Sequence, residues 1–281
     1  MPRSFLVLDI ETIVDPELPI AEGADVQRLP SPPHHQVVAI GVLWFDEDYR
    51  VKKLGILGED KAEADVLRDF AKFTEDKRPD LITFNGRGFD MPVIAARCLR
   101  HGVPFRYYYR SRDVRYRFSP EGHLDLMDFV ADFGASKSSR LDVLAKLSGM
   151  PGKVGVDGKD VGPMVHAGRI EEVRNYCLCD VVQTAGVFLR VQLLRGELSE
   201  AGYKIAMQGL IDTIMNDARV QPVADAMNAP RLMLAENSAA TEAATEAQEK
   251  EKPGTDSPQD APGVDAGNGG DVVDAAAEPS P

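Results

Sequence analysis

The first sixty residues contain three runs of strand length in which apolar residues predominate. Residues 5–10 and 37–45 are continuous apolar runs, and the second is rich in β-branched and aromatic side chains, which is typical of buried strands. Residues 51–57 predict a third strand. Because only a short acidic turn at residues 46–48 precedes it, we expect strands two and three to pair antiparallel.

The apolar period then changes to that of a helix. Apolar positions between residues 64 and 73 follow helical spacing, and Pro79 ends that helix. We expect further strands at residues 81–84 and 123–126, and further helices at residues 92–101, 141–148, 170–194 and 199–217. Three strands followed by alternating helices and strands predict an α/β fold in which helices pack on a mixed sheet.

The end of the chain differs in composition from the rest. From residue 236 onwards there are 11 acidic residues, 2 lysines and no aromatic side chain. Most of the net charge of −13 therefore belongs to this segment. Such a segment cannot bury enough apolar surface to offset the entropy lost on ordering. We therefore predict a folded domain over residues 1–235 and a disordered acidic tail rich in Ala, Pro and Gly over residues 236–281.

Cellular location is indicated by the N-terminus, the apolar runs and the cysteines. The N-terminus fits neither a signal peptide nor an anchor, and the longest apolar run has nine residues, which is too short to span a bilayer. The three cysteines lack metal-binding spacing and are expected to be reduced. We expect a cytoplasmic protein without a membrane partner.

Two acids lie at the end of the first predicted strand. Asp9 and Glu11 are two residues apart at the predicted strand end, so their carboxylates point to the same face. Like charges this close repel unless a cation neutralises them, and hard oxygen ligands favour Mg²⁺ or Mn²⁺. The pair alone also fits a solvated strand end.

Two further elements carry candidate chemistry. In the first, Asn85, Phe89 and Asp90 occur in the sequence NGRGFDMP, whose glycines suit a backbone that passes close to a ligand, although Asp90 alone also fits a helix N-cap. In the second, Tyr176 and Asp180 are four residues apart in a predicted helix, so both can face one site. A tyrosine in the core beside a solvated aspartate fits the same spacing.

In chain order, the sequences DIET, NGRGFDMP and YCLCD resemble the three exonuclease motifs of the DEDD superfamily. They are most similar to the proofreading exonuclease domain of family-B DNA polymerases and its predicted stand-alone bacterial relatives, over about residues 5–190. Asn175 stands where one subclass has histidine, and Tyr176 stands where the other has tyrosine. The resemblance therefore implies a 3′-5′ exonuclease of the tyrosine (DEDDy) type with a ribonuclease H-like fold, in which helices cover both faces of a mixed five-stranded sheet.

The resemblance also implies the cofactors and the roles of the site residues. Two Mg²⁺ or Mn²⁺ ions would be held by Asp9, Glu11, Asp90 and Asp180, with Asp9 shared between the ions. Tyr176 would orient the attacking water. The expected substrate is the 3′ end of single-stranded nucleic acid, DNA ahead of RNA, and a polymerase or repair protein is a conceivable partner.

A basic segment between residues 97 and 118 has seven arginines against one acid, and they are interleaved with Tyr107, Tyr108, Tyr109, Tyr116 and Phe118. Arginines can follow phosphates and aromatic rings can stack on bases, so the segment predicts nucleic-acid contacts; a solvated loop whose rings pack on the domain is equally compatible. The candidate nucleic-acid-binding residues of the chain are Asn85, Phe89, Arg106, Tyr107, Arg110 and Arg112. Four other residues are open: Lys137, Arg140 and Lys153 fit phosphate contacts or a solvated surface, and Asp125 could add an acid to the site.

Three other functions compete with an independent exonuclease. A catalytically silent nucleic-acid-binding module would keep the fold without turnover, although all four acids and the tyrosine are present. A proofreading module acting in trans would share the chemistry; no polymerase-sized region follows in the sequence, so a fused polymerase is not expected. A metal-dependent phosphatase would need a second aspartate where Glu11 stands.

Overall fold

A five-stranded sheet forms the centre of the fold. The computed structural model describes residues 2–18, 30–155 and 158–235, and the predicted tail at residues 236–281 lies outside the described residues and stays a prediction. The strands are β1 (Phe5–Val14), β2 (His35–Phe45), β3 (Val51–Ile56), β4 (Asp80–Thr83) and β5 (His123–Asp125).

The strands lie side by side in the order β3-β2-β1-β4-β5. β2 runs antiparallel to both β1 and β3, whereas β4 runs parallel to both β1 and β5. This order and these directions confirm the mixed sheet of the predicted ribonuclease H-like fold. The antiparallel pairing expected for the second and third strands is also confirmed.

Eleven α-helices occur within the described residues. They are α1 (Glu63–Lys77), α2 (Asp90–His101), α3 (Arg106–Arg110), α4 (Arg112–Arg115), α5 (Leu126–Val130), α6 (Leu141–Ser148), α7 (Val161–His166), α8 (Ile170–Leu194), α9 (Glu200–Met215), α10 (Gln221–Ala226) and α11 (Ala229–Leu232). Both α6 and α8 begin and end where the sequence predicts. The helices of four to six residues were not predicted, because so few turns show no apolar period.

Apolar layers cover both faces of the sheet. Val7 on β1 belongs to a core cluster with residues of α8 and α9, whereas its neighbours Leu6 and Leu8 belong to a cluster with residues of α1 and α2. By length and composition α8 is the one candidate for crossing a membrane among the described residues, and 78% of its apolar window is buried inside the fold. These properties suit a helix at the centre of an α/β domain.

The first strand continues beyond the predicted end at residue 10. Its ladder with β2 extends to Val14, which pairs with His35, and a bulge interrupts the register between Glu11 and Thr12. Asp9 and Glu11 therefore lie inside the strand, and the expectation that they stand at its end is wrong. Polar side chains ended the apolar run early, but backbone pairing continues regardless of them.

A buried ionic cluster ties the end of β1 to α1 and α2. The Arg97 guanidinium, 2% exposed, binds Asp15 through Nη1 and the Glu63 carboxylate through Nε (2.7 Å) and Nη2 (2.6 Å). Glu63 also accepts a hydrogen bond from the amide of Val37 (2.8 Å) and contacts His101 Nε2 (2.8 Å). We call this group the Arg97 clamp. It takes one of the seven arginines of the basic segment away from the surface.

Candidate active site

Three separate elements supply the predicted acids. Asp9 and Glu11 lie on β1, Asp90 is the first residue of α2, and Asp180 lies on α8, which packs against β1 and β2. Gly41 pairs with Asp9 and allows α8 to approach the sheet, since a Cβ on Gly41 would lie 2.8 Å from the sulfur of Cys177. The close packing of α8 thus brings its polar side chains to the acids of β1.

The two acids of β1 lie beside a thiol that sequence reasoning missed. One ligand atom each from Asp9, Glu11 and Cys177 all lie within 4.8 Å of one another. Cys177 Sγ donates to the backbone oxygen of Asp9 at 3.4 Å and approaches its carboxylate at 3.7 Å. The sequence carried no distinct signal for this contact, because Cys177 follows Tyr176 and points to a different side of the helix.

Asp90 reaches β1 from the start of α2. Its carboxylate is 4% exposed and accepts hydrogen bonds from the amide of Ile10 and from its own amide. Asp90 is the first residue of α2, so it is part of the helix and is not a capping residue that precedes it. The bond to Ile10 brings Asp90 to the same stretch of β1 as Asp9 and Glu11.

The helical pair lies at the same place. The Tyr176 hydroxyl forms a hydrogen bond with the Asp180 carboxylate, and the negative charge of Asp180 acts on both Asp9 and Glu11. Burial and then the nearby Asp180 raise the pKa of Tyr176, so its hydroxyl stays protonated at neutral pH. Tyr176 can thus donate a hydrogen bond in this cluster but cannot serve as a base.

Burial disfavours ionisation of all four acids, and the charges of neighbouring site acids add to this effect at Asp9 and Glu11. Burial first, and then the charges of the other three acids, raise the pKa of Asp9 well above its usual value of 3.8, and burial followed by Asp180 and Asp90 does the same to the pKa of Glu11. Burial also raises the pKa of Asp90 to about 7 and that of Asp180 to about 6. For Asp180 the rise is opposed by Tyr176 and Lys153.

Divalent cations fit this arrangement of charges. Neighbouring carboxylates, of which Glu11 and Asp90 are buried and Asp9 and Asp180 half-buried, repel one another unless protons or cations neutralise them. Their oxygen atoms are hard ligands of the type that Mg²⁺ and Mn²⁺ prefer. The geometry and the raised pKa values of the four-acid cluster (Asp9, Glu11, Asp90 and Asp180) therefore make it a candidate metal centre.

Asp125 shapes the loop that leads to Asp90. Its carboxylate accepts hydrogen bonds from the amides of Asn85 and Arg87, both at 2.9 Å, and caps α5 by accepting from Met127 at 3.1 Å. Asn85 has a φ of +64°, a conformation that asparagine tolerates better than most residues. Asp125 also raises the pKa of Asp90 through its charge. Its contacts are those of a residue that positions the loop.

Phe89 and Asn85 both belong to this loop, at the same end of the sheet as the acids. The Phe89 ring packs edge-on against the ring of His35, with 4.9 Å between centroids. Gly88 sits tightly against the Asn85 side chain, since an added Cβ would lie 2.6 Å from Asn85 Oδ1. The loop backbone is thus fixed on both sides before Asp90 begins α2.

The basic segment lies elsewhere. Tyr107 is 3% exposed, and its hydroxyl donates to the backbone oxygen of Pro79, so the predicted stacking of this ring on a base is wrong. Arg110 and Arg112 are exposed and line a cavity of about 530 Å³ together with Asp80. Arg106 is also exposed and lines another cavity, against α1.

These arginines and the acids are at opposite ends of the parallel strands. Asp80 begins β4 and pairs with Phe5, four residues before Asp9. At a rise of 3.3 Å per residue, the cavity of Arg110 and Arg112 is roughly 13 Å from the acids. Arg110 and Arg112 thus lie on a surface separate from the acids, and contact of these arginines with nucleic acid stays a prediction. A charge count along the chain cannot distinguish the two ends of a strand.

A small cleft adjoins the four-acid cluster on the side of Asp180. The cleft has a volume of about 130 Å³, and Tyr176, Asp180, Gln183, Arg140 and Lys153 are among the residues that line it. We call it the Gln183 cleft. Sequence reasoning named the two cations only as open candidates and missed Gln183. The signal was present, since Gln183 follows Asp180 by three residues and Tyr176 by seven on one helix.

One family model matches most of the chain. Residues 29–228 match the model of a family described as a predicted 3′-5′ exonuclease related to the exonuclease domain of PolB. Among solved structures, the product-bound structure of exonuclease I at 1.5 Å resolution is similar over 66% of this chain and 46% of that chain, with 15% identity and a TM-score of 0.33. This chain thus spans less than half of exonuclease I. No curated protein matches.

Proposed function

The chain belongs to the family of predicted 3′-5′ exonucleases related to the exonuclease domain of PolB, and from this premise we propose that it is a metal-dependent exonuclease of the DEDDy type. It removes nucleotides from the 3′ end of single-stranded nucleic acid, DNA ahead of RNA. One observation carries the proposal. Acids from three distant segments lie close enough that Asp90 and Asp180 raise the pKa values of Asp9 and Glu11, and Tyr176 bonds to Asp180.

In this proposal the four acids hold two Mg²⁺ or Mn²⁺ ions. Asp9, Glu11 and Asp180 would hold one ion, and Asp90 together with Asp9 would hold the other. Bound ions of this kind supply an activated water and stabilise the leaving 3′-oxygen of the phosphodiester. The raised pKa values of the acids support the assignment, because cations would relieve the repulsion that raises them.

Tyr176 acts on the attacking water and not on a metal ion. Because its pKa is raised, the hydroxyl keeps its proton and donates a hydrogen bond, which orients a water for in-line attack on the phosphorus. Asp125 does not take part in the reaction itself. Its carboxylate accepts hydrogen bonds from the amides of Asn85 and Arg87, which positions Asp90 at the start of α2. We assign Asp125 a positioning role outside the metal ligands.

The proposal is tested by incubating the protein with single-stranded DNA and RNA labelled at the 5′ end, with Mg²⁺, with Mn²⁺ or with EDTA. We expect a ladder that shortens from the 3′ end only when a metal ion is present. Asp9→Asn should abolish it, whereas Asp225→Asn, which changes an exposed carboxylate on α10, should not.

Other outcomes would replace the proposal. Binding of the strand without shortening would indicate a silent binding module. Hydrolysis of a phosphomonoester with an intact strand would indicate a phosphatase. Shortening that requires an added polymerase would indicate a proofreading module acting in trans.

A further inference from the structure

The side chain of Gln183 is a buried polar group near the acids. Gln183 on α8 is 1% exposed, and among the described residues its Oε1 atom has no hydrogen-bond partner. Burying an amide oxygen without a partner destabilises a protein. Amide oxygen and nitrogen exchange places when the group is turned over, so the unpartnered position can present either an acceptor or a donor. A ligand that forms a hydrogen bond with this buried amide would remove the cost of its burial.

The position of Gln183 connects it with the four-acid cluster. Residues 176, 180 and 183 share one face of α8, because a helix repeats every 3.6 residues. Tyr176 and Asp180 bond to each other at the cluster, and Gln183 lies one turn further along the helix in the wall of the Gln183 cleft. A group that leaves the cluster past Asp180 would therefore meet the Gln183 amide.

The other walls of the cleft carry positive charge. Arg140 and Lys153 both line it, and Lys153 lowers the pKa of Asp180 through its charge. Asp142 also lines the cleft, but its carboxylate already accepts from Lys146 Nζ at 2.8 Å and from the amide of Lys153 at 2.7 Å. An anion in the cleft would thus lie near the positive charges of Arg140 and Lys153. The negative charge of Asp142 is already balanced by Lys146.

We propose that the Gln183 cleft binds a phosphate group next to the one that is cut, with the Gln183 amide and the Arg140 guanidinium as its ligands. The inference rests on the proposed exonuclease function and extends it with a second phosphate subsite. The amide donates through its NH₂ group, and the guanidinium pairs with the phosphate oxygens. The phosphate is that of the neighbouring linkage of the strand or, after cleavage, that of a released nucleoside 5′-monophosphate that rebinds in the cleft.

The decisive variant is Gln183→Leu, and α8 offers a matched control. Gln192 is also 1% exposed, but its Nε2 donates to the Tyr49 hydroxyl at 2.9 Å and its Oε1 accepts from Arg195 at 2.7 Å. Leucine at 183 removes an unpartnered group, whereas leucine at 192 breaks two satisfied bonds. The two variants should therefore change stability in opposite directions.

Three measurements test the inference. First, we expect Gln183→Leu to raise Tm by about 2–4 °C and Gln192→Leu to lower it by a similar amount. Second, calorimetry should show that Gln183→Leu weakens binding of thymidine 5′-monophosphate about 10-fold or more. Thymidine, which lacks the phosphate, serves as the comparison ligand. Third, KM for a labelled strand should rise by a similar factor while kcat stays nearly unchanged.

A strand with an uncharged methylphosphonate at the linkage next to the 3′-terminal one distinguishes the two sources. If the strand supplies the phosphate, this substitution raises KM in the wild-type protein and not in Gln183→Leu. If the product supplies it, the substitution has no such effect, and thymidine 5′-monophosphate inhibits the wild-type protein more strongly than the variant. Either result supports the phosphate site.

The inference is overturned if Gln183→Leu lowers Tm and leaves the affinity for thymidine 5′-monophosphate unchanged, since Gln183 would then be structural. Failure of the proposed exonuclease function has a different signature. In that case no strand is shortened with any metal ion, and the Tm and nucleotide-binding measurements still decide the role of Gln183.

Discussion

Replacing Asp90 by asparagine tests the electrostatic cost of the four-acid cluster. The change removes one negative charge and keeps the shape of the side chain. Burial, opposed in part by two backbone hydrogen bonds, raises the pKa of Asp90 from 3.8 to about 7. A difference of about three pH units corresponds to roughly 4 kcal/mol of free energy, which is an upper bound for a group coupled to three other acids.

The sign follows from where the proton is held more tightly. Because the folded-state pKa of Asp90 lies above its unfolded-state value, the folded protein binds the proton better. The stability from this group is complete below about pH 4 and is lost as the pH rises through 7. Metal-free wild-type protein should therefore lose stability between pH 4 and pH 8, and Asp90→Asn should lose less.

Urea denaturation in EDTA at pH 5 and pH 8 measures the effect. We expect Asp90→Asn to be more stable than the wild-type protein by about 2–4 kcal/mol at pH 8, with a smaller difference at pH 5. Adding Mn²⁺ at pH 8 should stabilise the wild-type protein more than the variant. If Asp90→Asn is less stable than the wild-type protein at pH 8 in EDTA, the reasoning on repulsion within the cluster is refuted.

Three further changes test other parts of the site. Tyr176→Phe should retain Mn²⁺ affinity in a titration but lower kcat about 10-fold or more, and an unchanged kcat would remove Tyr176 from the mechanism. Asp125→Ala should lower the free energy of unfolding in urea by about 2–3 kcal/mol, because it leaves the loop amides without their acceptor; no loss would contradict its positioning role. Arg110→Ala combined with Arg112→Ala should leave KM for a short strand unchanged, and a large rise in KM would place substrate at the opposite end of the sheet.

The central fold could be predicted from the sequence because its information is local. The apolar period identifies the strands and α8, and the spacing of Tyr176 and Asp180 identifies their shared helical face. Asp9 and Glu11 could also be identified from the sequence, because two carboxylates on one face of a strand repel each other unless a cation neutralises them. The convergence of these acids with Asp90 is a long-range property, and the resemblance to known exonucleases supplied it.

Partners distant in sequence could not be predicted from local patterns. Arg97 and Arg110 look alike in the basic segment, yet Arg97 is buried against two acids while Arg110 lies at the surface. Tyr107 is surrounded by arginines in sequence and by the core in space. Asp125 and Cys177 likewise acquire their roles through neighbours that are more than 30 residues away.

The Arg97 clamp holds α2 about two helical turns away from Asp90. Arg97 lies seven residues after Asp90 on that helix, which is roughly 10 Å at a rise of 1.5 Å per residue. A tilt of the helix by about 10° around the clamp would move Asp90 by about 2 Å, several times the tolerance of roughly 0.5 Å within which a functional group must be held. A small change in the orientation of α2 at the Arg97 clamp would therefore displace Asp90 from the other acids.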